Sequence, residues 1–257
     1  MNSACFSMKK TYFISDLHLG ANYITDHRAH EARVIAFLDS IRDDAGQLFL
    51  LGDILDYWFE YKNVVPRGHI RFFGALARLA DAGVRITWMT GNHDVWLFDY
   101  LRDEIGLTVL KGHQTVDIEG HRFLISHGDD VGEQPFMYRF TRWCFYNPVC
   151  QWLYAAIHPR WTHAVAKGWS ASNRTRRRPA LPPEKHRSPA IDRLCDFVRQ
   201  HEQTEHCEHY VFGHLHVTLQ EQVADTDATM TILGEWIRRD TYAVFDGETL
   251  KLLKFQR

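Results

Sequence analysis

Five short polar clusters contain the residues of this chain whose types and spacing could do chemistry. They are Asp16-Leu17-His18, Gly52-Asp53, Gly91-Asn92-His93-Asp94, His127-Gly128-Asp129 and Gly213-His214-Leu215-His216. Each cluster follows an apolar run that predicts a buried strand. In open α/β sheets, ligands bind in the crevice beyond the carboxyl ends of the strands, so the clusters are expected to meet there.

The imidazole, carboxylate and amide groups of these clusters favour a metal site. This set suits Mn, Fe, Co, Zn or Mg and disfavours copper(I) or an iron–sulfur cluster. In Asp16-x-His18 and His214-x-His216, the alternation of side chains along a strand end places both groups on one side. The candidate ligands are Asp16, His18, Asp53, Asn92, His127, His214 and His216. Seven ligands are too many for one ion and fit two ions, ~3.5–4 Å apart, that share a carboxylate.

Strands that alternate with helices must position these clusters. Apolar runs predict strands over 12–14, 48–51 and 84–89, and helical periodicity predicts helices over 29–42 and 70–82. This alternation is typical of a largely parallel sheet in an α/β protein. Further strands are predicted over 107–110, 114–118, 122–126 and 210–212, a helix over 191–201, and a tail of antiparallel strands over 217–223, 229–233, 242–245 and 251–255.

With 257 residues, the chain is long enough for one large domain that carries an insertion. We expect an N-terminal extension at 1–10 and a domain over 11–257. A helical insertion is predicted at about 134–187, with two or three short helices over 136–169, broken near Pro148 and Pro159, and an exposed loop at 173–187.

Composition excludes several classes of protein. Hydrophobic residues make up 45% and charged residues 24%, which is typical of a globular chain and excludes whole-chain disorder. No apolar run reaches the ~20 residues of a membrane span. The five cysteines are odd in number and form no CxxC pair, which disfavours a disulfide framework or a thiolate zinc site and fits the cytoplasm.

The order of the five clusters resembles the calcineurin-like metallophosphoesterase superfamily, from Tyr12 to about Phe255. The resemblance implies a two-sheet αββα sandwich with a binuclear metal site at one edge and a bridging hydroxide as the nucleophile. By motif, one ion would be held by Asp16, His18, Asp53 and His216. The other would be held by Asp53, Asn92, His127 and His214.

His93 is the expected catalytic side chain that is not a ligand. The resemblance places it beside the phosphoryl group, where it stabilises charge or protonates the leaving oxygen. Asp56, three residues after Asp53, is placed to orient His93. Asp94 is the alternative orienting group, or else caps a turn or helix before Val95.

A narrower resemblance is to the UDP-2,3-diacylglucosamine diphosphatases of lipid A synthesis. It rests on Asp16-Leu17-His18-Leu19-Gly20, on Gly52-Asp53-Ile54-Leu55-Asp56-Tyr57-Trp58 and on His127-Gly128-Asp129. It implies a hydrolase that converts UDP-2,3-diacylglucosamine to UMP and 2,3-diacylglucosamine 1-phosphate with two divalent ions, for which manganese is expected. Weaker substrate-binding candidates are Tyr138, Ser170, Ser172, Asn173 and Arg174.

The predicted insertion is rich in aromatic and basic residues. Although the net charge of the chain is −2, residues 134–187 hold ten Lys or Arg and one acid. Its aromatic residues are Phe136, Tyr138, Phe140, Trp143, Phe145, Tyr146, Trp152, Tyr154, Trp161 and Trp169. Acyl chains suit the aromatics, while a diphosphate and an anionic membrane surface suit the charge, so we expect peripheral association with the inner membrane.

Other functions share these features. Many diphosphatases of this family carry Arg at the position of His93, so another phosphoester remains the alternative substrate for a phosphomonoesterase, cyclic phosphodiesterase or nuclease. Nucleic acid is disfavoured because the basic block is confined to one insertion. A plain helical subdomain with a solvated basic face is the alternative for the insertion. A non-catalytic scaffold is disfavoured because every expected ligand is present, and no protein partner is predicted.

Overall fold

The computed structural model describes residues 9–132, 134–162 and 188–256. In chain order, the strands are β1 (Lys10–Ile14), β2 (Ala45–Leu51), β3 (Arg85–Met89), β4 (Thr108–Leu110), β5 (Gln114–Ile118), β6 (His121–Ser126), β7 (His209–Phe212), β8 (Thr218–Gln222), β9 (Thr229–Leu233), β10 (Thr241–Phe245) and β11 (Leu250–Lys254). The helices are α1 (His27–Ile41), α2 (Ile70–Asp81), α3 (Tyr100–Ile105), α4 (Phe136–Tyr146), α5 (Pro148–Ala156) and α6 (Pro189–Glu202).

The strands form two sheets. The first has the order β11-β10-β1-β2-β3-β4 and the second the order β5-β6-β7-β9-β8. Strands β1 to β4 run parallel, as the alternation of strands and helices predicted. The predicted antiparallel tail divides between the sheets: β8 and β9 join the second, where β9 pairs parallel with β7, and β10 and β11 join the first.

Three apolar layers hold the sheets and helices together. Between the sheets, Phe13 stacks on Phe49 and Phe123 at ring-centroid distances of 5.2 and 5.8 Å. On the outer face of the first sheet, α1 and α2 pack over a layer that includes Trp88. On the outer face of the second sheet, α6 buries Leu194. The layers confirm the expected αββα sandwich.

The described part of the insertion follows β6 and contains α4, α5 and the start of a further helical segment at Pro159, which confirms the break predicted there. Asn147 separates α4 from α5, and its side chain caps α5 by accepting hydrogen bonds from the backbone N–H groups of Val149 and Cys150. The helix break predicted near Pro148 is confirmed, since Pro148 occupies the first turn of α5. The predicted loop at 173–187 lies outside the described residues.

Other boundaries differ slightly from the sequence predictions. Strand β1 begins at Lys10, the last residue of the expected extension. Helix α3 was not predicted, because six residues are too few to show a clear helical period. Within the described ranges, none of the helices has both the length and the apolar character that crossing a bilayer requires.

Candidate metal centre

The candidate ligands lie in loops that follow strand ends of both sheets. Asp16 and His18 follow β1, Asp53 follows β2 and Asn92 follows β3 in the first sheet. From the second sheet, His127 follows β6, and His214 and His216 follow β7. The site therefore lies where the carboxyl ends of parallel strands from the two sheets meet.

The side chains fall into two adjoining groups. In one, possible ligand atoms of Asp16, His18 and His216 lie within 4.8 Å of one another, and in the other those of Asp53, His127 and His214 do so. Asp53 Oδ2 lies 3.7 Å from His18 Nε2 and 3.4 Å from His127 Nε2. This carboxylate thus lies between the two groups, in the position that a shared ligand requires.

The backbone of the ligand loops adopts unusual conformations. Asp16, His18, Asp53, His214 and His216 all have positive φ angles, between 46° and 65°. The left-handed region costs an L-residue roughly 1–2 kcal/mol and persists where the surroundings enforce it. Here Asp16 N–H donates to Gly52 O at 3.1 Å and His18 N–H donates to Asp53 O at 2.9 Å, so the first two ligand loops hold each other.

Two glycines of the motifs permit this close approach. Gly52 has φ 82°, and a Cβ there would lie 2.6 Å from His127 Nδ1. A Cβ on Gly91 would clash with the backbone and side chain of Asp53. Both glycines are therefore needed for packing, and the positive φ of Gly52 adds a conformational reason at that position.

One hydrogen bond orients the His127 ring. His127 Nδ1 lies 2.8 Å from the backbone carbonyl of Leu51, which can only accept. Nδ1 therefore carries a proton, and Nε2 is the ring nitrogen that faces Asp53, 3.4 Å from its Oδ2. Such a backbone partner is how metal-ligating histidines commonly have their tautomer and ring plane set.

Unsatisfied buried atoms show that the residues fit a cation. Among the described residues, Asn92 Oδ1 and His127 Nε2 are buried and have no hydrogen-bond partner. Asp16 Oδ1 likewise makes no hydrogen bond, and its neighbour at 3.1 Å is Nε2 of His216, another candidate ligand. Each unmade buried bond costs about 1–3 kcal/mol, which coordination would recover. Oxygen and imidazole donors of this kind suit divalent metal ions.

Electrostatics keep the carboxylates of the centre ionised. Burial by itself raises the pKa of Asp16, but His216 and His18 outweigh it and hold the pKa well below its usual range. Burial is likewise outweighed at Asp53, where His127 and His93 hold the pKa low. Burial and the nearby His127 lower the pKa of His214 to about 3, so its ring is neutral at pH 7.

His93 lies at the edge of this centre. Its Nδ1 is 3.0 Å from the backbone carbonyl of Asp56 and 3.6 Å from the carboxylate, while its Nε2 is 3.9 Å from Asp53 Oδ2. The Asp56 carboxylate is closer to His18 Nδ1, at 3.3 Å. Asp56 therefore contacts His93 chiefly through its main chain, a contact that residue type alone does not reveal.

Asp94 has a different role from the orienting one that the sequence also allowed. Its carboxylate accepts hydrogen bonds from Trp88 Nε1 and from the backbone N–H groups of Gly91, Asp53, Ile54 and Leu55. In the described segment around Val95 no helix begins, so Asp94 is no helix cap. It instead joins the loops that carry Asp53 and Asn92.

Comparison with known proteins shows the family of this chain. The model of the calcineurin-like phosphoesterase family matches residues 9–218. The chain belongs to that family. The match confirms the resemblance that the five clusters indicated.

Curated relatives of this phosphoesterase align over most of its length. A protein named UDP-2,3-diacylglucosamine hydrolase from Porphyromonas gingivalis is 40% identical, over 95% of this chain and 96% of its own. One of the same name from Edwardsiella ictaluri is 27% identical, over 95% of this chain and 91% of its own. Among solved structures, the Escherichia coli phosphoesterase YfcE aligns over 95% of this chain and 92% of its own, at 17% identity and a TM-score of 0.45.

Of the predicted substrate contacts, the structure describes Tyr138. Its hydroxyl donates to Asp129 Oδ2 at 2.8 Å, and Arg142 Nη1 lies 2.6 Å from the same oxygen. Both side chains line a small cleft of about 30 Å³ that reaches Asn92 of the phosphoesterase centre. The other predicted contacts lie outside the described residues: Ser170, Ser172, Asn173 and Arg174.

Sequence reasoning missed how the insertion attaches to the phosphoesterase core. Arg142 lies four residues after Tyr138, so a helix places both on one face, and this spacing was a usable signal. At a second contact between core and insertion, Trp96 packs on Tyr154 at a ring-centroid distance of 4.8 Å and donates from Nε1 to the Phe145 carbonyl. Trp96 lies outside the motifs, and no pattern in the sequence indicates this contact.

Proposed function

We propose that this phosphoesterase hydrolyses UDP-2,3-diacylglucosamine to UMP and 2,3-diacylglucosamine 1-phosphate in lipid A synthesis. The observation that carries the proposal is the near full-length relationship to the Porphyromonas gingivalis UDP-2,3-diacylglucosamine hydrolase, at 40% identity. Two further observations support it: a family match over 9–218, and two groups of candidate ligands at one edge of the sandwich.

The proposed centre binds two divalent metal ions, with manganese as the expected metal. Asp16, His18 and His216 hold one ion, and Asn92, His127 and His214 hold the other. Asp53 is shared, consistent with the position of its Oδ2 between His18 and His127. When bound, such ions supply Lewis acidity to the diphosphate and to the attacking water.

The protein's own groups position the reacting atoms. Asp56 O accepts from His93 Nδ1, which leaves Nε2 facing the edge of the centre, where the phosphoryl group would lie. In that position the doubly protonated ring of His93 donates from Nε2 to the phosphoryl oxygens as charge builds on them, or transfers the Nε2 proton to the leaving oxygen and becomes neutral. We propose attack at the phosphorus of the UMP moiety, with 2,3-diacylglucosamine 1-phosphate as the leaving group.

The cap, defined as the insertion at 134–187 within the domain 11–257, handles the lipid. On α4, the side chains of Met137, Phe140 and Trp143 are exposed. On α5, Trp152 is 70% exposed, and Leu153 beside it is exposed as well. Burial of such apolar area against acyl chains is worth roughly 25 cal/mol per Å². We propose that this face receives the acyl chains and rests on the anionic inner surface of the cytoplasmic membrane.

Hydrolysis in labelled water tests the reaction and the position of attack together. Purified protein with Mn²⁺ is given UDP-2,3-diacylglucosamine in H₂¹⁸O, and both products are analysed by mass spectrometry. We expect UMP release, with the label in UMP. Label in the lipid phosphate would contradict the proposed position of attack, and no UMP release at saturating metal would contradict the substrate.

A second candidate is hydrolysis of another phosphoester, which is favoured by His93 in a motif where many diphosphatases carry Arg. Bis(p-nitrophenyl) phosphate serves as the comparison substrate. Turnover of this simple ester at a higher kcat/KM than the lipid would support the second candidate. The same metal centre would then act on a smaller substrate.

A further inference from the structure

His30 is a buried histidine outside every motif described above. It lies on α1 and is 2% exposed, and its Nε2 is 2.8 Å from the backbone carbonyl of Leu17. Leu17 separates the candidate ligands Asp16 and His18. The contact therefore reaches the loop of the metal centre from the layer of helices behind the sheet.

Arg33, one turn further along α1, determines the tautomer of His30. Arg33 Nη2 lies 3.0 Å from His30 Nδ1. A guanidinium can only donate, so Nδ1 must accept, and the proton of the neutral ring is on Nε2. The Leu17 carbonyl can only accept, so His30 Nε2–H donates to it. Burial lowers the pKa of His30, which agrees with a neutral ring at pH 7.

The same arginine is tied to the neighbouring part of the ligand loop. Arg33 Nη2 donates to the Trp236 carbonyl at 3.3 Å, and Arg33 Nε lies 3.4 Å from Asp240. The N–H of Trp236 in turn donates to the carbonyl of Asp16 at 3.2 Å. Successive carbonyls of the loop, those of Asp16 and Leu17, are thus held by groups that converge on Arg33.

We propose that His30, with its tautomer set by Arg33, is a positioning residue for the metal subsite of Asp16, His18 and His216. Asp16 and His18 have φ angles of 54° and 46°, a conformation that L-residues adopt only under constraint. Without the bond from His30, the peptide of Leu17 can turn and relieve that strain, which moves both ligands. This inference rests on the metal centre of the proposed function.

Metal binding to the metal-free protein tests the inference without an activity assay. Mn²⁺ is titrated by calorimetry, and electron paramagnetic resonance reports paired Mn²⁺ ions. We expect two ions in the unmodified protein. His30→Leu should weaken one of the two by about 10–100-fold, the range seen when partners behind a ligand are removed. The signal of the paired ions should fall accordingly.

Three further variants separate positioning from general stability. In His30→Gln, the amide can donate to Leu17 and accept from Arg33, so affinity should return to within about 5-fold of the unmodified protein. Arg33→Met should weaken the same ion about 3–10-fold, since the ring is no longer held. Val34→Ala removes buried side-chain volume from the same helix and should lower Tm without changing either affinity.

The outcomes distinguish the inference from the proposed function. Unchanged affinity in folded His30→Leu overturns the inference and leaves the proposed function intact. If His30→Leu does not fold, unchanged affinity in Arg33→Met overturns it equally. Failure of the unmodified protein to bind two ions overturns the metal centre and the inference together.

Discussion

Two regions of the molecule differ in how tightly they pack. One is the edge of the sandwich that carries the candidate ligands, here called the metal edge, and the other is the helical cap. At the metal edge, Asp16, Asp53 and His127 are each at most 2% exposed. Hydrogen bonds join each ligand loop to another ligand loop, and one joins the first loop to α1. In the cap, neither α4 nor α5 contains a fully buried residue. The proposed phosphoryl chemistry needs atoms held in fixed positions, whereas the proposed surface for acyl chains must leave apolar side chains uncovered.

The two regions meet through polar and aromatic contacts on the inner side of α4 and α5. The salt bridge between Arg142 and Asp129 joins α4 to the loop after β6. The hydroxyl of Tyr57, in the core, lies 3.2 Å from that of Tyr154 on α5. The cap can therefore be altered on its outer face without disturbing the metal edge, and this separation can be tested.

The largest effect is expected from Asp53→Ala. Because both proposed subsites lose the shared carboxylate, kcat for UMP release should fall by at least about 10³-fold. Metal content, measured by plasma mass spectrometry, should fall in the same variant. Asp44→Ala is the matched control, since that carboxylate pairs with Lys10 at the start of β1. An equal loss of kcat and of metal content in both variants would contradict the role of Asp53.

His93→Ala should separate chemistry from metal binding within the same edge. Removal of a donor to the developing charge should lower kcat by about 10²–10³-fold. Metal content and Tm should change little, because His93 is not a proposed ligand. The comparison is between single-turnover rates at equal metal loading. A variant that instead loses an ion would show that His93 is a ligand.

Replacing Trp152 and Leu153 with serine tests the outer face of the cap. We expect KM for the lipid substrate to rise and affinity for anionic vesicles to fall, each by about 10-fold, because exposed apolar area is lost. Turnover of bis(p-nitrophenyl) phosphate should be unchanged. Leu253→Ser, at an exposed leucine on β11, is the control. Equal vesicle binding by all three proteins would contradict the role of this face.

The smallest effect is expected where the two regions join. His113 Nδ1 lies 3.5 Å from Asp130 Oδ2, and Arg142 of the cap lies 3.8 Å from the same oxygen. The hydrogen bond to Asp130 raises the pKa of His113 above its usual value. The folded state thus holds this proton more tightly than the unfolded state, and the pair stabilises the fold below pH ~6.5.

This stabilisation is lost as pH rises through the pKa of His113 in the folded state. His113→Gln should therefore lower Tm by about 1 °C at pH 6 and not at pH 9, where the ring is neutral in both states. Differential scanning calorimetry of the metal-free protein measures both values. A larger decrease in Tm at pH 9 than at pH 6 would contradict the predicted direction of the pH dependence.

The sequence predicted which loops lie together better than it predicted the contacts that hold those loops. Short motifs after apolar runs indicated which side chains meet, because the carboxyl ends of parallel strands share one edge. The orientation of Asp94 could not be predicted, because its partners, the N–H groups of Gly91 and Ile54, belong to two separate loops. The contact of His30 with Leu17 joins a helix to a strand end, and a single histidine on a helix face carries no signal for it.

The sequence pattern also could not show which sheet each strand of the tail, β8 to β11, joins. Alternating side chains indicated that β8 to β11 are strands, but the same alternation suits either sheet. The partners are decided by packing: Phe245 of β10 lies 5.0 Å from Phe123 of the opposite sheet, within the layer between the sheets. A short helix such as α3 is likewise decided by its surroundings, here by Glu60, which accepts from three backbone N–H groups at its start.

The left-handed backbone at Asp16, Asp53 and His214 has a consequence for mutational tolerance. Asparagine and glycine enter that region at little cost, whereas valine and isoleucine are excluded by their branched Cβ. A library of variants selected only for resistance to protease should therefore keep Asn and Gly at these positions and lose Val and Ile. The backbone conformation of the metal edge would then restrict the residues found at these positions, even though the selection did not depend on catalysis.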